Sequence, residues 1–345
     1  MIFQTLFLIR FMRLTLVSCI LVSLANMAGA QQIVVKMATL APKGSSWHLI
    51  LQEMGEKWKT ASGGRVTLTL YPGGVAGDDE DVVRKMRLGT LNGGLLTSIG
   101  LGNIDRNVLA LQVPMMYQSY EELDYVRDQM SPNLEKIFEQ KGFVVMNWAD
   151  AGWVHFFAKT PVRTPDDLRA LKLFTSGGDV RTIELWKAAG FKPVPLPATE
   201  ISTALQTGLV TALPSPPQAA VLLQWYNHAK NMTDLKWAVL MGATVISKAS
   251  WDKIPAELHG PLLEAAHQAG KRLRDEIRQR SPMDVEAMVK RGLVVVHLDA
   301  AAVDLWRHTA EDAYPRLRDN YVPAQAFDEA KRLRDEYRKA HQATK

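Results

Sequence analysis

Residues 120–148 read YEELDYVRDQMSPNLEKIFEQKGFVVMNW. Tyr120 to Gln140 is predicted as a helix and Gly142 to Trp148 as a buried strand. The same alternation runs outward from this stretch. Upstream, Ile33 to Leu40 reads as a first strand, closed by the turn residues 41–45, APKGS. Ser45 or Ser46 then caps a helix whose apolar members Leu49, Met54 and Trp58 recur near helical spacing and which ends around Gly63-Gly64. Arg65 to Tyr71 alternates with period two, as a half-buried strand does. Asp78 to Leu88 reads as a helix and Leu91 to Ile99 as a glycine-containing strand. Downstream, Val154 to Ala158 and Leu171 to Thr175 continue the series, with a short helix started by Thr164-Pro165-Asp166-Asp167 between them. Strands alternating with helices at this spacing predict α/β layers around a largely parallel sheet.

The rest of the chain adds mostly helix. Asp179 to Ala189 is predicted helical and ends at Gly190; Thr199 to Thr207 is another helix, stopped by Gly208. Leu209 to Leu213 reads as a short strand running into Pro214-Ser215-Pro216-Pro217. A long helical stretch from about Pro255 to Arg291 is expected to break or kink at Ser281-Pro282. A strand at Leu293 to Leu298 and two amphipathic helices follow. The last helix places Phe327, Ala330, Leu333 and Tyr337 on one face, the pattern of a helix docking across a domain.

The amino terminus decides the compartment. Met1 to Ala30 holds Arg10 and Arg13, no acidic residue, an apolar run from Leu14 to Leu24, and then Ala28-Gly29-Ala30. This predicts a secretory signal peptide cleaved before Gln31, and so a periplasmic protein. Met12 is an alternative start, since Met12-Arg13 and the apolar run form a complete signal. Leu16-Val17-Ser18-Cys19 also fits a lipoprotein box in which Cys19 is acylated, while the apolar run is short for a bilayer span. Cys19 is the only cysteine. Its loss with the signal excludes disulfides, cysteine-ligated metal and a thiol nucleophile. The net charge of +5 becomes +3 without Arg10 and Arg13, with both signs interspersed. No Lys/Arg cluster with interleaved aromatics suggests nucleic acid. A length of 345 residues suggests two domains.

Five strings in order carry a resemblance. They are Gly63-Gly64-Arg65-Val66; Tyr71-Pro72-Gly73-Gly74 with Gly77 and an acidic helix start; Val113-Pro114-Met115-Met116-Tyr117; residues 164–172, TPDDLRALK; and residues 204–210, ALQTGLV. Together they resemble the solute-binding subunits (DctP type) of TRAP, tripartite ATP-independent periplasmic, transporters, over essentially all of the mature chain. The resemblance implies an α/β, two-lobed periplasmic-binding-protein fold with crossing strands and a long helix spanning both lobes. It implies capture of a small organic solute for integral-membrane TRAP permease subunits, without catalysis. The implied organisation is residues 1–30 as signal peptide, 31–153 plus about 244–255 as lobe 1, and 154–243 plus about 292–300 as lobe 2. Residues 256–291 form the spanning helix and 301–345 the C-terminal helices.

The chain departs from the family where the ligand is held. Most members carry an arginine on the strand after the Asp-Leu-x-Gly-x-Lys string, to grip a ligand carboxylate; Phe174 stands at that position here. A charge-assisted arginine–carboxylate contact is worth roughly 1.5 to 3 kcal/mol. A buried phenylalanine instead offers apolar area worth about 1.5 to 3 kcal/mol to a ligand that covers it. The exchange favours an apolar or aromatic solute over a small dicarboxylate. Phe174, Thr175, Trp47, Tyr117, Trp148 and Trp153 are the candidate ligand contacts, with Pro216 in a rigid wall and Ser215 as a polar contact. Trp225-Tyr226 follows the proline run. The backbone amides opening the helix at Gly177-Gly178-Asp179 keep an acidic ligand open as an alternative.

Other chemistries find no residues. The histidines include no i, i+4 pair for zinc, and no nucleotide-binding glycine pattern or nucleophile elbow exists. His155 reads as a satisfied core or cleft-wall histidine. Asp78-Asp79-Glu80-Asp81 has the wrong spacing for a calcium loop and reads as helix capping. No cofactor and no metal are called for. A receptor-like sensor or scaffold, or a secreted enzyme on a similar fold, are the alternatives to transport.

Overall fold

The computed structural model describes residues 32–342; the segment read as a signal peptide, with Cys19 and Met12, lies outside them. The chain begins with β1 (Ile33–Thr39), α1 (Ser46–Ala61), β2 (Val66–Tyr71), α2 (Asp79–Arg87), β3 (Gly93–Thr97), α3 (Ser98–Ile104), α4 (Tyr120–Gln140) and β4 (Phe143–Ala158). It continues through α5 (Pro165–Arg169), β5 (Lys172–Ser176), α6 (Val180–Ala188), β6 (Lys192–Leu196), α7 (Ile201–Thr207), β7 (Ala212–Ser215), α8 (Pro217–Leu222) and β8 (Asn231–Thr233). The last elements are β9 (Ala238–Ser247), α9 (Lys248–Trp251), α10 (Ala256–Val289), β10 (Val294–Val296), α11 (Ala300–Asn320) and α12 (Ala324–Gln342). Local chemistry sets the helix starts. Ser45 Oγ accepts from the His48 amide, and Thr164 and Asp167 form a reciprocal capping box.

The strand order is β2-β1-β3-β9-β4-β7-β5-β6, with β8 beside β4 and β10 beside β8. The outer pairs β1–β2, β1–β3, β5–β6 and β5–β7 are parallel. At the centre, β4 and β9 run antiparallel to each other, and respectively to β7 and β3. The sheet is therefore mixed rather than largely parallel. The chain leaves the first half of the sheet along β4 and returns along β9, so the two must run in opposite directions, and hydrophobic periodicity carries no information on direction.

β4 is one strand of 16 residues, where sequence reasoning expected a strand ending at Trp148 and another starting at Val154. The intervening Ala149–Trp153, ADAGW, is poor in strand formers. It stays in the ladder because β9 pairs alongside, with register shifts between Val145 and Asn147 and between Asp150 and Trp153. Gly152, at φ +86°, supplies the left-handed residue of the second shift. At about 3.3 Å per residue β4 is long enough to serve both halves. Its Phe143–Val154 part pairs with β9 and its His155–Ala158 part with β7.

Apolar clusters cover both faces of each half. In the first half, Trp58, Met37, Leu51 and Ile246 pack with Leu262, Ala266 and Leu273 of α10 on one face. On the other, Val126, Leu134 and Phe138 of α4 pack with Phe327, Ala330 and Leu333 of α12. In the second half, Met288 of α10 joins Phe157, Leu205 and Leu213, while Trp306 of α11 joins Phe156 and Leu168. Helix α10 thus touches both halves. It runs unbroken for 34 residues through Pro261 and Pro282, so of the break or kink expected at Ser281-Pro282 the break is absent. Burial of Leu273 and Ile277 before Pro282 and of Met288 after it outweighs the lost hydrogen bond.

Helix α10 lies close on β4. Asn147 Nδ2 donates to the Ala266 carbonyl at 2.9 Å. A Cβ on Gly270 would stand 2.5 Å from Asn147 Cβ and 2.9 Å from the Trp148 carbonyl oxygen. Arg278 bridges to Asp124 of α4 at 2.6 Å and to the buried Asp150 of β4 at 2.7 Å, tying three elements together. Those bonds outweigh the opposing effect of burial and hold the guanidinium charged.

Candidate functional site

A cavity of about 650 Å³ opens between the two halves of the sheet. The carboxyl ends of β1, β3, β5 and β7 reach it through Thr39, Thr97, Ser176 and Ser215, and the crossing strands supply Ala149, Asp150, Met241 and Gly242. Carboxyl ends of strands are where open α/β sheets place ligands, because the loops there diverge and leave a crevice. The volume suits one small organic molecule.

Five of the eight residues singled out from sequence lie together on this lining: Trp47, Phe174, Thr175, Ser215 and Pro216. Trp47 stands in the first turn of α1 and Phe174 and Thr175 near the end of β5. The Ser215 hydroxyl donates to the Pro216 carbonyl at 3.0 Å, which leaves its oxygen as an acceptor. Pro216 precedes α8, whose first residue is Pro217, so this wall is stiff.

The other three are not on the lining. Tyr117, Trp148 and Trp153 pack in the first-half cluster with α4. The Tyr117 hydroxyl donates to the Ala110 carbonyl at 2.8 Å, and burial pushes its phenol far up. Trp148 Nε1 donates to Glu135 at 2.8 Å and its ring meets Phe138 edge-on. Trp153 lies 5.4 Å from the Tyr120 ring. The aromatic count near the crossing did not reveal which face each residue takes. His155 is also off the lining; its Nδ1 faces the Thr233 carbonyl at 3.2 Å, and burial lowers its pKa and keeps it neutral.

Several lining residues were not foreseen. Trp186 of α6 and Trp237, just before β9, lie stacked with centroids 5.9 Å apart and both face the cavity. Behind them Trp306 meets Trp237 edge-on at 5.8 Å. Helix α11 adds Thr309, Ala310, Ala313 and Leu317. The only sequence signal for these was the tryptophans themselves. Trp225, which sequence placed near the cleft, also lines it and donates to Ser202 Oγ at 3.1 Å.

The electrostatics are unusual for a site that would hold an anion. Among the described residues that line the cavity there is no arginine, and the only cation is the exposed Lys43. Asp78, Asp150 and Asp179 also line it. Each is held by this chain's own donors. Asp78 accepts from the amides of Asp79 at 2.9 Å and Ala198 at 2.7 Å, Asp150 pairs with Arg278, and Asp179 caps α6 by accepting from the Thr182 amide at 3.1 Å.

The acidic run Asp78-Asp79-Glu80-Asp81 does cap α2, through Asp78. It also reaches the second half of the sheet. Ser176 Oγ donates to Glu80 Oε1 at 2.9 Å, and a Cβ on Gly178 would lie 2.0 Å from that oxygen. The anion site considered at Gly177-Gly178-Asp179 is therefore filled by Glu80. Two of its three amides are engaged as well, Gly177 with the Leu196 carbonyl at 3.0 Å and Asp179 with the Ser176 carbonyl at 3.5 Å. Asp79 points inward, with Oδ2 accepting from the Thr97 amide at 2.9 Å and hydroxyl at 2.5 Å. Among the described residues no group of three or more His, Cys, Asp or Glu side chains could hold a metal ion.

Residues 37–320 match the family described as DctP, bacterial extracellular solute-binding protein, family 7. A solute-binding protein of Roseobacter denitrificans is 26% identical over 313 residues, covering 87% of this chain and 91% of the relative. The C4-dicarboxylate-binding periplasmic protein DctP of Rhodobacter capsulatus is 26% identical over 276 residues, 78% of this chain and 81% of its own. Among solved structures, a TRAP periplasmic solute-binding protein from Desulfovibrio salexigens with bound orotic acid superposes with a TM-score of 0.82 at 19% identity. That likeness covers 89% of this chain and 99% of the other, and it is one of fold.

Proposed function

This chain belongs to the DctP family of bacterial extracellular solute-binding proteins, family 7, and from that premise we propose that it captures an apolar or aromatic organic solute in the inter-lobe cavity and passes it to TRAP permease subunits in the membrane. As a member of that family it is an extracytoplasmic receptor for a small organic solute and not an enzyme. The observation that carries the choice of solute is a cavity whose described lining residues include Phe174 and tryptophans but no arginine. The Rhodobacter capsulatus relative is named for C4-dicarboxylates, and the Desulfovibrio salexigens protein holds orotic acid. Two or three charge-assisted bonds would anchor such acids, and this lining offers no guanidinium to make them.

In this reading Phe174 and Trp47 supply apolar contact, Thr175 and Ser215 supply polar anchors, and Pro216 keeps the wall rigid. The lobes close on the solute about the boundaries set out above, near residues 153 and 244, with α10 spanning both. Met1 to Ala30 exports the chain, which matures at Gln31. Native mass spectrometry of the purified protein, followed by thermal-shift screening, tests the solute class. Stabilisation by aromatic or other apolar compounds supports it; stabilisation by small dicarboxylates alone would refute it.

A further inference from the structure

We propose that Asp78 and Glu80 determine the charge specificity of the cavity, bridging the two halves of the sheet beside it and occupying donors a ligand carboxylate would need, so that uncharged solutes are admitted and anions are turned away. This rests on the apolar-solute reading above and adds a rule that reading does not contain.

Both carboxylates come from the start of α2, in the first half of the sheet, and both partners belong to the second half. The Ala198 amide donates to Asp78 Oδ2 at 2.7 Å and the Ser176 hydroxyl to Glu80 Oε1 at 2.9 Å. Asp78, Ser176 and Ala198 all line the cavity. The contact is close on both sides of these bonds. A Cβ on Gly178 would meet Glu80 Oε1 at 2.0 Å, and one on Gly74 would meet Thr199 Cγ2 at 2.7 Å. The hydroxyl at the end of β5 and the amide after β6 are therefore spent on the protein's own carboxylates.

Among the described lining residues an entering anion would also meet Asp179, against one exposed ammonium on Lys43, while the charge of Asp150 is balanced by Arg278. Like charges in a space with little water are weakly screened. An alcohol or amide of the same shape suffers neither the repulsion nor the missing donors.

Isothermal titration of the full-length protein with matched pairs tests the rule: indole-3-ethanol against indole-3-acetate, and 3-phenylpropanol against 3-phenylpropanoate, with succinate and gluconate alongside. Each alcohol is expected to bind at least about tenfold more tightly than its carboxylate, in keeping with the cost of like-charge contacts. Asp78→Asn with Glu80→Gln keeps both acceptors and removes both charges, and it should shrink that ratio about tenfold by tightening the carboxylates. Glu80→Gln alone serves if the double variant does not fold. Carboxylates binding wild type as tightly as the alcohols, or a ratio unchanged in the variants, overturns the charge rule and leaves the aromatic reading standing. Binding confined to succinate or gluconate overturns both, and no binding by any probe overturns the aromatic reading and this rule with it.

Discussion

Replacing Asp79 by asparagine should flatten the pH dependence of stability between pH 5 and 8. Asp79 is 1% exposed, Thr97 donates twice to Oδ2, and Oδ1 has no partner. Burial pushes its carboxyl from the ordinary 3.8 up to about 7, against the pull of the Thr97 bonds and with help from Asp78 and Glu80. A carboxyl whose folded pKa is raised binds its proton more tightly in the native state than in the unfolded one. Its contribution to stability is therefore complete below 3.8 and is lost as pH rises through about 7. A gap of about three pH units at about 1.4 kcal/mol each sets an upper bound of about 4 kcal/mol, with some 2 to 3 kcal/mol of it falling between pH 5 and 8. Asparagine keeps an acceptor for Thr97 and has no charge to lose. Its unpartnered amide shifts stability by an amount that does not vary with pH. Urea unfolding of both proteins at pH 5, 6, 7 and 8 and constant ionic strength gives the difference curve. Asp284, whose carboxyl burial also raises and which has no coupling to Asp79, cancels in that difference. Parallel curves for the two proteins would mean that Asp79 titrates at the same pH folded and unfolded, and the reasoning would fail.

Phe174→Arg should weaken an apolar ligand by roughly 1.5 to 3 kcal/mol through lost apolar contact, and should allow a carboxylate to bind. Calorimetry on the variant checks this, and unchanged affinity would remove Phe174 from the ligand surface. Gly270→Ala should destabilise the protein by about 1 to 3 kcal/mol, because the new methyl meets the Trp148 carbonyl on the backbone of β4. Helix propensity alone would make the same change stabilising by about 1 kcal/mol, so the sign of the shift in a urea titration decides whether α10 can lift from β4.

Much of the fold was legible because β-α units mark themselves. Arg65 to Tyr71 alternates, Ser45 and Thr164 cap the helices that follow them, and Gly190 and Gly208 stop others. The centre was not legible. β9 is a mixed apolar run interrupted by Gly242, and its partners β3 and β4 lie far away in sequence, so nothing local announces the pairing. β6 carries two prolines, Pro193 and Pro195, and is tolerated as an edge strand. In the site, Phe174 was visible only through the aligned position of an absent arginine. Tyr117, Trp148 and Trp153 could not be told from Trp186 and Trp237, because aromatic composition does not say which side of a pleat or helix a ring takes. Helix α11 contributes through Ala310 and Ala313, small residues whose importance is the space they leave.

The path of β4 and β9 through the sheet also governs how the chain can be made. β9 lies between β3 and β4, yet it is encoded long after both. A nascent chain that has emerged as far as Ala158 has all the outer strands of its first half and a gap in the middle. It cannot close that gap until Ser247 is made, nor cover Trp58, whose indole donates to the Leu262 carbonyl at 3.0 Å, until α10 follows. Until then β3 and β4 present open edges able to pair with another chain. No single cut of the gene yields a self-sufficient half, so truncated or split versions of this protein should keep β1 through α10 together with α11 and α12, which cover the second faces of the two halves.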